Sequence, residues 1–138
     1  MSKKLLFWIP RILAIIFILF LTMFSLDVFG NNYGFWQTIL GLFMHNIPTL
    51  ILVIVLVISW KYEWVGGVGF ILAGLLYIIF ILTNVMKTGF EWYYLLWALQ
   101  ISGIAFLIGI LFLISYFKSK KLKKAKKIKL TKPTKYRK

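Results

Sequence analysis

The sequence predicts an all-α membrane protein: an antiparallel bundle of four transmembrane helices with short loops, followed by a polybasic C-terminal tail. Three observations predict it. First, the 138-residue chain is 62% apolar, with a mean hydropathy of +0.90; soluble domains are about half apolar and about a quarter charged. Second, only 14% of its residues are charged, and twelve of its seventeen basic residues fall within the last 21 positions. The remaining 117 residues carry five basic and three acidic groups, too few to present a surface to water. Third, four stretches each reach the length of about 20 mostly apolar residues that a helix needs to cross hydrocarbon.

The first span runs from Leu5 to Phe29. Lys3 and Lys4 precede it in the manner of a signal peptide, but Arg11 interrupts the apolar run and the exit Phe24-Ser25-Leu26-Asp27-Val28-Phe29 offers no small-x-small cleavage site, so it is read as a retained helix. The second span covers Phe35 to Ser59 and contains Pro48, which membrane helices tolerate because neighbours re-satisfy the freed carbonyl. The third covers Trp64 to Val85 and the fourth Trp92 to Phe117. Between them lie Gly30-Asn31-Asn32-Tyr33-Gly34, Lys61-Tyr62-Glu63 and Lys87-Thr88-Gly89. Connections this short make sequential helices antiparallel neighbours. Residues 1–117 thus form the membrane domain and 118–138 the tail.

An even number of spans puts both termini on one side. With the termini inside, that side holds Lys3, Lys4, Arg11, Lys61 and the twelve basic residues of the tail, and the other side holds only Lys87. Lys/Arg-rich flanks stay cytoplasmic, so both termini are expected there, in the cell membrane. Trp8, Trp60, Tyr62, Trp64, Tyr116 and Phe117 fall at the inner boundary; Tyr33, Trp36, Trp92, Tyr93 and Tyr94 fall at the outer one. Aromatic side chains with polar tips anchor at both interfaces.

Lipid tails are as apolar as leucine, so helices in a bilayer associate by close packing along small residues. Each span carries such a stripe: Arg11, Ile15, Ile18, Thr22, Ser25 and Phe29 on the first; Thr38, Gly41, His45, Pro48/Thr49, Leu52 and Ser59 on the second; Gly66, Gly69 and Ala73, with Gly67 and Gly74, on the third; Ala98, Ser102, Ala105 and Gly109 on the fourth. These read as the inward faces of the bundle, and packing explains them better than a conduit does.

Ionisable groups at the centre of a span cost at least about 2.5–3.5 kcal/mol. Arg11, about two turns inside the first span, either snorkels to inner-leaflet phosphates or pairs with Glu63, which the turn between spans two and three brings to its level. Asp27 is about 24 Å from Arg11 along the helix and on a roughly opposite face. It reads as an interfacial carboxylate bonded to Asn31, Asn32 or Gln37, or as a proton- or ion-accepting group. His45 lies near mid-membrane, beside the Met44 carbonyl that Pro48 leaves without its helical donor. It reads as a neutral imidazole bonded to Thr22, Ser25, Gln100 or Ser102 of a neighbouring helix, or as a proton relay in a small polar pocket.

In the tail, Lys118, Lys120, Lys121, Lys123, Lys124, Lys126 and Lys127 should continue the fourth helix until Pro133 stops it. Juxtamembrane lysine clusters bind anionic lipid headgroups at about 1 kcal/mol per charge. Lipid ranks well above nucleic acid here, since the tail offers only Tyr136 for stacking. The chain has no cysteine and a single histidine, which excludes disulfides, Cys-bound zinc and a multi-histidine metal site within one chain. Neither a cofactor fingerprint nor a catalytic constellation is present: Gly66-Gly67-Val68-Gly69 opens a membrane helix rather than a phosphate loop.

The run Arg11-Ile-Leu-Ala-Ile-Ile-Phe, the exit Phe24 to Phe29, the turn His45-Asn46-Ile47-Pro48, and Trp60-Lys61-Tyr62-Glu63 with Gly66-Gly67 resemble a family of small four-span prokaryotic integral membrane proteins, a domain of unknown function. The resemblance covers residues 5 to 115 and leaves the tail outside it. It implies a four-helix membrane fold and no established activity, and it makes Arg11, Asp27, His45, Pro48 and Glu63 the positions to test. The sequence therefore leads to a non-enzymatic structural or accessory membrane protein that associates with itself or a larger membrane complex. The alternative is a minimal proton, ion or small-solute transporter using His45 and Asp27.

Overall fold

The computed structural model describes residues 3–30, 34–89 and 91–131. It has four long helices: α1 Lys3–Met23, α2 Phe35–Ser59, α3 Glu63–Thr88 and α4 Trp92–Thr131. All four are long and apolar enough to cross a membrane, as the sequence predicts. They run antiparallel in a ring: α1 packs on α2 and α4, and α3 packs on the same two from the other side. Among the described residues no close main-chain approach links the diagonal pairs. One end of the bundle carries the α2–α3 turn and the α4 extension, and is called the tail side below.

The first span is not a single α-helix. After Met23 it tightens into a 3-10 segment, Phe24–Gly30. Two hydroxyls prepare the change: Thr22 donates to the Ile18 carbonyl at 2.9 Å and Ser25 to the Thr22 carbonyl at 2.6 Å, competing with the regular backbone ladder. Three residues per turn then put Ser25 and Val28 on one face, and both are buried. The inward face of α1 also differs from the predicted stripe. Ile15, Thr22 and Phe29 are exposed, while Leu6, Pro10, Ala14 and Phe17 join Arg11, Ile18 and Ser25 in the interior. A helix wedged between two neighbours buries a wider face than one stripe.

Helix α3 ends at Gly89, whose φ of 94° suits glycine and whose N–H bonds the Val85 carbonyl at 3.0 Å. Helix α4 continues well past its long apolar run: Lys118 to Thr131 add about 21 Å. Pro133, the expected stop, lies outside the described residues.

The core is mainly apolar, with Arg11, Ser25, Thr49, Ser59, Ser102 and Ser115 buried beside it. Phe70 and Phe112 stack with centroids 6.0 Å apart and planes 18° from parallel, surrounded by Ala14, Phe17, Leu56, Ala105 and Ile108. The outward faces are also apolar, with Leu19, Leu40, Leu76 and Leu99 all exposed, the arrangement a lipid solvent favours. Glycines set the closest approaches. A Cβ on Gly109 of α4 would stand 2.9 Å from the Gly67 carbonyl oxygen and 3.1 Å from the Ile71 nitrogen of α3. Gly66 fits beneath Ser59 and Phe112, Gly69 beneath Val55, Gly74 beneath the Phe106 ring, and Gly41 beneath Val28. Gly103, on the outward face of α4, has open space where a Cβ would stand, with nothing within 4 Å.

Gly109→Ala should therefore push α3 and α4 apart and cost about 1–3 kcal/mol, because the obstacle is backbone and cannot rotate away. Gly103→Ala should be neutral or stabilise by up to about 1 kcal/mol through helix propensity. Thermal melting of both variants in the same detergent distinguishes them. Equal melting temperatures would show that the α3–α4 contact is not set by Gly109.

Candidate functional site

Two of the five candidate residues, Arg11 and Glu63, meet at the tail-side end, around the guanidinium of Arg11. Its fractional exposure is 0%, so every partner it has must come from the chain. Nη2 lies 3.5 Å from Oε1 of Glu63, the first residue of α3, and donates to the Ser59 carbonyl of α2 at 3.2 Å. Nη1 donates to the Phe7 carbonyl one turn back on α1. The charge also faces two rings, Phe7 at 3.4 Å and Phe112 of α4 at 5.5 Å from their centroids. One side chain thus touches all four helices.

The chemistry of helix ends explains why the cation sits there. The last four carbonyls of a helix lack intrahelical donors. In α2 the Leu56 carbonyl accepts from the Ser59 hydroxyl at 2.6 Å, and Val57 from the Trp60 N–H at 3.3 Å. Ile58 accepts from Lys61 and Tyr62 at 3.1 and 3.0 Å. Ser59 is left, and Arg11 takes it. A cation at the carboxyl end of α2 and a carboxylate in the first turn of α3 are each favoured by the helix dipoles. The turn Trp60 to Tyr62 therefore presents Arg11 with one acceptor from each helix it joins. Glu63 keeps 13% exposure of its side chain and Arg11 none. Arg11 Nε is buried without a hydrogen-bond partner, so desolvation of the cation is offset only in part.

Of the two readings of Arg11, the geometry is that of the pair with Glu63 rather than of snorkelling to phosphates. Sequence reasoning missed the other partners. Phe7 was open to it, since it lies four residues before Arg11 and so on the same face. The Ser59 carbonyl was not, because a backbone acceptor has no signature in residue type.

His45 is not on the inward face. It is exposed, and its Nδ1 donates to the Gly41 carbonyl of its own helix at 3.0 Å. The predicted neighbours are engaged elsewhere: Thr22, Ser25 and Ser102 each bond a carbonyl of their own segment, and Gln100 is exposed. Nor does His45 form a pocket with the Met44 carbonyl that Pro48 frees. Helical side chains tilt toward the amino end, so the imidazole reaches back one turn to Gly41. Asn46 does the same, donating to the Leu42 carbonyl at 2.9 Å. Pro48 itself is exposed. Buried residues of α2 begin only at Thr49 and continue with Leu52, Leu56 and Ser59.

The Asp27 side chain, Asn31 and Asn32 lie outside the described residues. Gln37 is engaged locally, its Oε1 accepting from the Gly34 N–H at 3.1 Å at the start of α2. Lys118, Lys120, Lys121, Lys123, Lys124, Lys126 and Lys127 all lie exposed on the helical extension of α4. Lys120 stands 5.7 Å from the centroid of the Tyr116 ring.

The family described as Domain of unknown function (DUF7670) matches residues 1–124, and so takes in the first lysines of the extension. No curated protein and no solved structure matches the chain.

The exposures of the two partners predict an asymmetry. Glu63→Gln strands a buried cation and should cost about 3 kcal/mol. Arg11→Met leaves a carboxylate that can still reach water, so in the double variant the second substitution should cost at least about 1 kcal/mol less than it does alone. Unfolding by graded addition of denaturing detergent, followed by tryptophan fluorescence, measures the cycle; strict additivity would show that the pair is not coupled. His45→Leu should shift stability by no more than about 0.5 kcal/mol, and a larger loss in the same assay would place the imidazole in an interface.

Proposed function

We propose, given that the chain belongs to the family described as Domain of unknown function (DUF7670), that it is a non-enzymatic structural or accessory membrane protein. In this reading both termini are cytoplasmic, the tail lies against anionic headgroups, and the bundle associates with itself or with a larger membrane complex. The observation that carries the reading is the filled axis. Arg11, Ala14, Phe70, Ile108 and Phe112 each have a fractional exposure of 0%. A conduction path needs a chain of ionisable or hydrated groups through the span. Here the described interior is mostly stacked rings and aliphatic side chains, with one charge whose partners are the chain's own groups and, besides it, only the hydroxyls of Ser25, Thr49, Ser59, Ser102 and Ser115, none of them ionisable in this range.

Transport through His45 and Asp27 draws no support from the packing, since His45 faces outward on α2. A protein with a sealed interior and lipid-facing helices acts through what it touches. The orientation follows the distribution of basic residues, sixteen of the seventeen falling on the side of the termini and only Lys87 on the other.

Two measurements test this. Purified protein in liposomes should pass no proton or cation current above empty vesicles; a wild-type current that His45→Ala abolishes would replace the accessory role by conduction. A green fluorescent protein fused after Lys138 should fluoresce in cells, and alkaline phosphatase fused there should be inactive. Active phosphatase would invert the orientation.

A further inference from the structure

Helices α1 and α4 reach past the α2–α3 turn on the tail side, and between them lies a groove of ≈ 250 Å³. Its walls are Leu6 from the first turn of α1, with Ser115, Ser119 and Leu122 from α4; Lys118, Lys123 and Lys126 stand along it. No acidic residue lines it. Other lysines of the extension, Lys120, Lys121 and Lys124 among them, are not part of it.

We infer that this groove is a binding site for one anionic phospholipid, whose phosphate is held by Lys118, Lys123 and Lys126 and whose glycerol backbone lies along Leu6 and Leu122. Three features converge on that ligand. Helical spacing puts Ser115, Ser119, Leu122 and Lys126 on the face that continues the buried stripe of Ile108 and Phe112, so the groove is the exit of the packed interface and not an arbitrary flank of the tail. Its level is that of the headgroups. The aromatic residues Trp60, Tyr62, Trp64, Tyr116 and Phe117 mark the expected inner boundary; Leu6 lies about 7.5 Å beyond Arg11, and Lys118 directly follows Phe117. Its chemistry is mixed, with two leucines and two serines in its walls and three ammonium groups on flexible stems along it, which suits a lipid better than a free ion.

The inference rests on the reading that the tail lies against lipid, but not on which leaflet, so it can fail while the orientation stands and the reverse. Its consequence is that the lysines of the extension are not equivalent. Only the three in the groove hold a lipid in place; the others contribute to the diffuse attraction of a polybasic segment.

Native mass spectrometry of the full chain in detergent, with phosphatidylglycerol added, reads the site directly. Wild type should retain one phosphatidylglycerol in preference to phosphatidylcholine. The triple variant Lys118→Gln, Lys123→Gln, Lys126→Gln should bind it at least about tenfold more weakly, a difference of about 1.4 kcal/mol by the affinity relation. The charge-matched triple Lys120→Gln, Lys121→Gln, Lys124→Gln should stay within about twofold of wild type, and both should melt with wild type because all six side chains are exposed. Equal losses in the two triples would overturn the site in favour of an unspecific polybasic tail. Equal retention of phosphatidylcholine would overturn its anionic selectivity. Displacement of the lipid by millimolar inorganic phosphate would assign the groove to a free anion instead.

Discussion

A guanidinium removed from water must have its charge balanced by groups the protein itself supplies, and this bundle is organised around that requirement at Arg11. Taking such a cation fully out of water costs several kcal/mol even after the surroundings relax. That cost is met by a carboxylate from α3, carbonyls from α1 and α2, and the faces of two rings. None of these partners alone would suffice. Together they fix the level of α1 against the α2–α3 turn and bring Phe112 of α4 against the same point. The ends of α2 and α3 gain in return, since the cation takes up the last free carbonyl of one and faces the first carboxylate of the other.

From that joint the packing loosens toward the far side. Near Arg11 the helices meet through glycines, with Gly66 under Ser59 and Gly67 against Gly109. Midway, Phe70 and Phe112 give way to Ala105 and Ile101. At the far side the first half of α2 buries no residue fully, and its contact with the rest is made by Val28 of the 3-10 segment seated over Gly41. The polar side chains of that half, His45 and Asn46, turn back onto their own helix. Among the described residues, full burial in α2 is confined to its tail-side half. The accessory role proposed here suits that asymmetry, with a rigid end that bears the charged extension and a far half whose faces are left to lipid or to another membrane helix.

The residues with the strongest chemical character did not all prove to be the structurally decisive ones. His45 is the one imidazole of the chain, yet its hydrogen bond is to the Gly41 carbonyl of its own helix and to no neighbouring helix. Ser59 offered little by residue type, yet its carbonyl is one of the acceptors on which the buried charge depends.

The number of long apolar helices and their antiparallel order were legible in the sequence, because length, hydropathy and short polar turns act within single segments and need no knowledge of neighbours. So was the level at which Arg11 and Glu63 meet, since a rise of about 1.5 Å per residue places each from its nearest turn. The rotation of each helix about its own axis was not. An outward face in lipid is as apolar as an inward one, so the pattern that orients a soluble helix carries little information here. That is why the stripes predicted for α1 and α2 were displaced, with Ile15 and His45 outside and Ala14 and Phe17 inside. Only the tertiary structure decided which faces met, because helix rotation is set by where glycine backbones can touch and where a buried cation finds its acceptors.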